Sequence, residues 1–183
     1  MYCFLIPLLV GFACNAASTF TTAFTNRWGE RRGRAVTYTL RNFLGIPLWA
    51  IGLGLAVRAP AELLFNPTTL TEVLGWLLMA AGAGLIWAAL LNLGWRAAAP
   101  STSDPLEAHG VYRRIRHPIY SGLLVEFAGI LLLKPSFTVL LAVVLGFVWL
   151  LIQTRLEELD LLQRMPAYRE YMQRVPRFLP KWR

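Results

Sequence analysis

Charge is what this chain lacks along most of its length. Charged side chains occupy 15% of the 183 positions, and none falls within residues 1–26, 73–95 or 135–154. Runs of that kind exclude an ordinary water-soluble domain. Each is long enough to cross about 30 Å of hydrocarbon as a helix. Two shorter runs, 42–57 between Arg41 and Arg58 and 117–133 with only His117 and Glu126, bring the expected number of transmembrane helices to five. Helices are the expected element because each satisfies its own backbone hydrogen bonds in lipid. Cysteine is scarce too. Cys3 and Cys14 both fall in the first run, eleven residues apart on one helix and without metal-ligand spacing, which leaves them as packing residues and excludes a disulfide framework. No metal site is expected.

Acidic residues number ten against eighteen lysines and arginines, for a net charge of +8. That excess would suit nucleic acid, but its placement argues against such a partner. Sixteen of the eighteen basic residues follow the first, third or fifth run, and only Arg58 and Lys134 lie on the other side. The positive-inside rule then puts the N-terminus outside and the C-terminus in the cytoplasm. The basic face attracts anionic membrane lipid. Residues 14–18 faintly resemble a signal-cleavage region, but no positive segment precedes them, so a retained first helix is expected.

The expected fold is therefore an all-α integral membrane protein, a single domain over residues 1–183. The first three spans (1–96) form a scaffold, 97–117 a cytoplasmic loop that can close over a site, 118–154 a helical hairpin, and 155–183 a cytoplasmic extension. Residues 166–175 in that extension form a short amphipathic helix. Gly82-Ala83-Gly84 resembles the glycine pairs attributed to cofactor binding in phospholipid methyltransferases. Gly84, however, lies roughly 16 Å from the cytoplasmic end near Trp95, so helix packing is the expected role.

Polar groups concentrate at one end of the hairpin. Arg116-His117-Pro118-Ile119-Tyr120-Ser121-Gly122 opens the fourth span, and Glu157-Glu158 follows the fifth. Pro118 suits a first helical turn, where a missing N–H costs nothing. The free amides there can hold an anion such as a carboxylate. His117 and Tyr120 share a face, and Gly122 permits close approach of a ligand or a neighbouring helix. Glu157 and Glu158 point about 100° apart, so one can meet a ligand while the other meets an arginine or water. Two acids at a basic membrane face suit a cationic ligand. The competing readings are an interfacial Tyr/Arg belt for the first motif and a solvated helix extension for the second. Glu126, mid-span, is either a protonated structural acid or part of an acceptor tunnel. Asn92 is expected to hydrogen-bond across the bundle.

The ordered combination of Gly110-Val111-Tyr112-Arg113-Arg114-Ile115-Arg116-His117-Pro118-Ile119-Tyr120-Ser121-Gly122, Glu157-Glu158, Tyr168-x-x-Tyr171 and Arg174-Val175-Pro176-Arg177-Phe178-Leu179-Pro180 resembles the isoprenylcysteine carboxyl methyltransferase family, itself similar to phospholipid methyltransferases. It covers residues 92–183. One departure is Met165-Pro166, which stands where relatives tend to have an aromatic–glycine pair. The resemblance implies S-adenosyl-L-methionine as methyl donor at the cytoplasmic end of the hairpin of a prokaryotic inner-membrane enzyme. The acceptor would be lipophilic and enter from the bilayer. It carries cofactor contact onto Tyr112, Arg116, His117, Pro118, Tyr120, Gly122, Glu157 and Glu158. Glu158 and Arg174 are the catalytic candidates: a carboxylate acceptor needs only an arginine such as Arg174 to orient it, whereas an amine or thiol needs His117 or a glutamate to receive a proton. Two other functions fit parts of the pattern, an NADPH-dependent membrane reductase of the sterol-reductase type and a non-enzymatic membrane subunit.

Overall fold

The computed structural model describes residues 2–181 and is built from helices. In chain order these are α1 (Leu5–Ala17), α2 (Thr21–Trp28), α3 (Glu30–Tyr38), α4 (Ile46–Arg58), α5 (Thr69–Leu93), α6 (Pro118–Leu133), α7 (Phe137–Arg164) and α8 (Tyr168–Arg174). A π-helical stretch, Thr39–Gly45, joins α3 to α4, and two 3-10 turns flank the loop before α6.

Among the described residues three helical segments are long and apolar enough to cross a membrane: Glu30–Arg58, Thr69–Ala97 and Phe137–Arg164. Counting the bent pair α1–α2 as one span makes four. The expected five spans differ at two places. Helix α6 has 16 residues, which is short of a full crossing at about 1.5 Å per residue. The first run is not one straight helix: α1 ends at Ala17 and α2 leaves at 63°. The cause is local. The Ser18 hydroxyl donates to Asn15 O at 2.6 Å and the Thr19 hydroxyl to Ala16 O at 2.7 Å, diverting carbonyls from the helical ladder. Thr22 N–H then finds Asp160 Oδ1 of α7 at 2.9 Å. The second run also begins earlier than its apolar stretch, so Arg31, Arg32, Arg34 and Arg41 lie on helix rather than in a connection.

Helices α5 and α6 pack most intimately, and glycine makes this possible. A Cβ at Gly82 would come within 2.6 Å of Gly122 O, and one at Gly122 within 2.6 Å of Ile86 Cγ1. Gly84 faces open space, with nothing within 4 Å of an added Cβ. Helix packing is thus the role of Gly82, whereas Gly84, whose depth implied the same role, makes no such contact. The remaining helices close around Phe4, Leu8, Phe12, Phe127, Trp149 and Leu150, with Phe12 stacked on Trp149 at 4.5 Å between ring centres.

Candidate cofactor and acceptor cavity

His117 is the residue before α6, and Pro118 opens the helix. The chain beyond α8 returns across this point. Arg116 N–H donates to Pro176 O at 2.9 Å, His117 N–H to Arg177 O at 3.1 Å, and the Ser121 hydroxyl to Phe178 O at 2.8 Å. This strap brings Arg177 over the end of α7. Glu158, with its side chain wholly buried, is held there by three cations or potential cations. Arg177 pairs with it through both carboxylate oxygens at 3.1 and 2.5 Å, Arg116 Nη2 stands 2.9 Å away, and His117 Nε2 is at 3.2 Å. A buried carboxylate is tolerable only with such compensation.

Its neighbour has a different environment. Glu157 accepts the Tyr120 hydroxyl at 2.9 Å, keeps 28% of its side chain exposed, and faces a cavity of about 620 Å³. His117 Nδ1 lies 4.0 Å from it, so His117 stands between the two carboxylates. Tyr112, Tyr120, Tyr168 and Tyr171 surround the same space. Tyr171 donates to Tyr112 O at 2.5 Å. Burial pushes the Tyr171 phenol up to about 12, and burial first, then the nearby Glu157, pushes Tyr112 higher still. Both are neutral phenols at any physiological pH.

Further in, the wall becomes apolar, with Trp49, Ile86, Leu90, Leu123 and Trp149. The loop after α5 forms the roof, contributing Ala98, Pro100, Asp104, Pro105, Leu106 and Glu107. It is strapped down by α3, the π stretch and α7: Arg34 Nε donates to Ala99 O at 3.1 Å, Arg41 Nη1 to Ala97 O at 3.0 Å, Asn42 Nδ2 to Ala98 O at 2.8 Å, and Arg164 Nη1 to Ser101 O at 2.6 Å. Ser101 and Thr102 in turn donate to Glu30.

The sequence candidates therefore divide. Tyr112, Arg116, His117, Tyr120 and Glu157 line the cavity. Glu158 lies behind them in the arginine network. Pro118 is buried at the helix start, and Gly122 serves the α5–α6 crossing; neither lines the cavity. Arg174 lies outside it, 74% exposed and 3.9 Å from Glu170 on the same helix. Glu126 packs against Gly82, also outside the cavity. Asn92, expected to bond across the bundle, instead holds the connection that follows its own helix, accepting the N–H of Val111 in the 3-10 turn at 3.2 Å. Sequence reasoning passed over Arg177, three residues from the arginine it chose, and Arg41, which read as a topological charge.

No curated protein and no solved structure matches the chain. The phospholipid methyltransferase family matches residues 70–168, which run from α5 to the first residue of α8 and include Tyr112, Arg116, His117, Tyr120, Glu157 and Glu158. That span is more than half of the sequence, and its helices bear the membrane character of these methyltransferases. The chain belongs to the phospholipid methyltransferase family.

Proposed function

We propose that this protein is an S-adenosyl-L-methionine-dependent methyltransferase whose acceptor is a lipophilic molecule reaching the cavity from the bilayer. The observation that carries the reading is Glu157, a carboxylate facing the cavity among tyrosines with no guanidinium on it among the described residues, while Glu158 beside it is neutralised by Arg116 and Arg177. A site of this kind suits a cation. S-adenosyl-L-methionine, when bound, supplies an electrophilic methyl group on a sulfonium and presents an ammonium, a carboxylate and ribose hydroxyls.

The residues fit those groups. Glu157 accepts hydrogen bonds from an ammonium or from ribose hydroxyls, and Tyr120 fixes its orientation. The faces of Tyr112, Tyr168 and Tyr171 favour positive charge. His117 and the first amides of α6 suit a carboxylate. The roof over residues 97–107 covers one side of the cavity, and water displaced from beneath it by a bound ligand would strengthen the electrostatic contacts there. Methyl transfer is an in-line displacement, so holding donor and acceptor in register supplies much of the rate. A carboxylate acceptor needs no base. An amine or thiol releases a proton, which His117, between the two glutamates, is placed to take.

The basic segments that frame the cavity support a cytoplasmic orientation of its mouth. The test is ligand-dependent stabilisation of the purified full-length protein in detergent. S-adenosylhomocysteine should raise the unfolding temperature and NADPH should not. Stabilisation by NADPH alone would replace this reading with a reductase, and stabilisation by neither would leave a non-enzymatic subunit.

A further inference from the structure

The cavity extends past the segment that the family match covers. Its far wall comes from the π-helical stretch and the start of α4, through Arg41, Asn42, Ile46 and Trp49. Among the described residues four arginines line the cavity, and three of them have a carboxylate: Arg96 meets Glu107 at 2.7 Å, Arg116 meets Glu158 at 2.9 Å, and Arg164 meets Asp160 at 3.0 Å. Arg41 differs. Among the described residues no carboxylate lies within 4.0 Å of it. Its guanidinium donates only to neutral oxygens, Nε to Ser18 Oγ at 3.4 Å and Nη1 to Ala97 O at 3.0 Å, and Nη2 has no partner among the described residues.

An arginine within a membrane-spanning helix is costly unless it is paired or serves a ligand. The π geometry places it at the wall. Asn42 occupies Tyr38 O at 3.0 Å with its own side chain, and Ile46 N–H reaches back five residues to Arg41 O, so the backbone is widened where Arg41 and Asn42 face the cavity. Below Arg41 the same helix turns Ile46 and Trp49 into the apolar end, opposite Ile86 and Leu90. From Arg41 inward the surface therefore passes from cationic to apolar, while the free carboxylate, Glu157, is supplied by α7. These are two poles for two ligands.

We propose that Arg41 anchors the methyl acceptor by an anionic oxygen group, a carboxylate or a phosphate, on an amphiphile whose chain lies along Ile46, Trp49 and Leu90. Naming that amphiphile the acceptor rests on the methyltransferase reading; the anion site itself does not. The anion could also be the carboxylate of the cofactor, and the experiment separates the two.

Full-length protein in dodecyl maltoside is titrated with hexadecyl phosphate, hexadecanol and S-adenosylhomocysteine, for the wild type, Arg41→Gln and, as a surface control, Arg32→Gln. The wild type and Arg32→Gln should bind hexadecyl phosphate at least tenfold more tightly than hexadecanol. Arg41→Gln should lose that preference and keep its affinity for S-adenosylhomocysteine within threefold. No preference in the wild type, or a preference that survives Arg41→Gln, overturns the proposal. Parallel loss of S-adenosylhomocysteine and hexadecyl phosphate in Arg41→Gln also overturns it, because Arg41 would then hold the cofactor. If Arg41→Gln does not fold, Arg41→Lys should retain the preference within threefold, and a lysine variant without preference overturns the proposal equally. Failure of the wild type to bind S-adenosylhomocysteine would remove the methyltransferase reading, while the phosphate preference would still decide the Arg41 site.

Discussion

Glu157 and Glu158 are adjacent in the chain and opposite in circumstance: Glu157 takes the Tyr120 hydroxyl at 2.9 Å at the cavity wall, and Glu158 is sealed between Arg116 and Arg177. One turn of α7 thus supplies both a cavity-facing charge and the counter-charge of the arginine network behind it. The two should separate cleanly under mutation. Glu157→Gln is expected to weaken S-adenosylhomocysteine binding at least tenfold in calorimetry while leaving the unfolding temperature nearly unchanged. Glu158→Gln is expected to destabilise the fold, because loss of one partner of a buried ion pair costs about 3–5 kcal/mol. A stable Glu158→Gln protein would contradict the framework role.

Tyr120→Phe removes the hydroxyl that orients Glu157 without changing the packing of the ring. A hydrogen bond to a charged group contributes about 1.5–3 kcal/mol. The expected outcome is a loss of tenfold or more in S-adenosylhomocysteine affinity, read by calorimetry, with the helical circular dichroism unaltered. Full affinity in the variant would remove Tyr120 from the site.

The glycines of the α5–α6 crossing and the nearby open glycine make a matched pair. Gly122→Ala places a methyl 2.7 Å from Gly82 O, where backbone rather than a flexible side chain must give way. A lowered unfolding temperature is expected. Gly84→Ala meets nothing within 4 Å and should be neutral. Equal effects at the two positions would show that close helix approach is not what Gly122 provides.

The roof loop carries a pH-dependent tether. Burial pushes the Glu107 carboxyl up, but the Arg96 guanidinium and the His109 amide outweigh it and hold the group below its ordinary value. A carboxyl depressed in the fold contributes stability that is complete above the unfolded value of about 4.3 and is lost as pH falls through the folded value. Thermal unfolding of the wild type should therefore decline below that pH, and Glu107→Gln should remove part of the decline. Identical acid limbs in the two proteins would argue against the tether.

Orientation is open to chemical labelling in sealed vesicles. With Cys3 and Cys14 replaced by serine, a cysteine at Arg169, exposed on α8, should react with an impermeant maleimide only from the cytoplasmic face. Reaction from the opposite face would reverse the proposed topology.

Much of this site was legible in the order of residue types. The uncharged runs marked the long helices, and Pro118 marked the start of α6. Arg116, His117, Tyr120 and Glu157 converge as their spacing implied. What escaped depended on rotation and distance rather than pattern. Adjacent glutamates had to separate by about 100°, but only the strap after α8 decides that Glu158 is the enclosed one. The bend after α1 was hidden because Ser18 and Thr19 are uncharged and pass for part of a span, although their hydroxyls divert the helix's own carbonyls. Arg41 looked like one of several flanking charges, and its place in the cavity wall follows from a π turn that no residue periodicity announces. Arg174 was chosen over Arg177 because both occur in one basic stretch; the fold turns Arg177 inward and leaves Arg174 in solvent.

The strap also makes the segment after α8 part of the site's framework. Arg177 follows Glu158 by nineteen positions, and α8 lies between them, so their contact closes a loop over the end of α7. Without that segment Glu158 would keep Arg116 but lose Arg177, and the entrance to α6 would lose the carbonyls of Pro176 and Arg177. A chain shortened before Pro176 would therefore carry an undercompensated buried carboxylate beneath an otherwise intact set of helices.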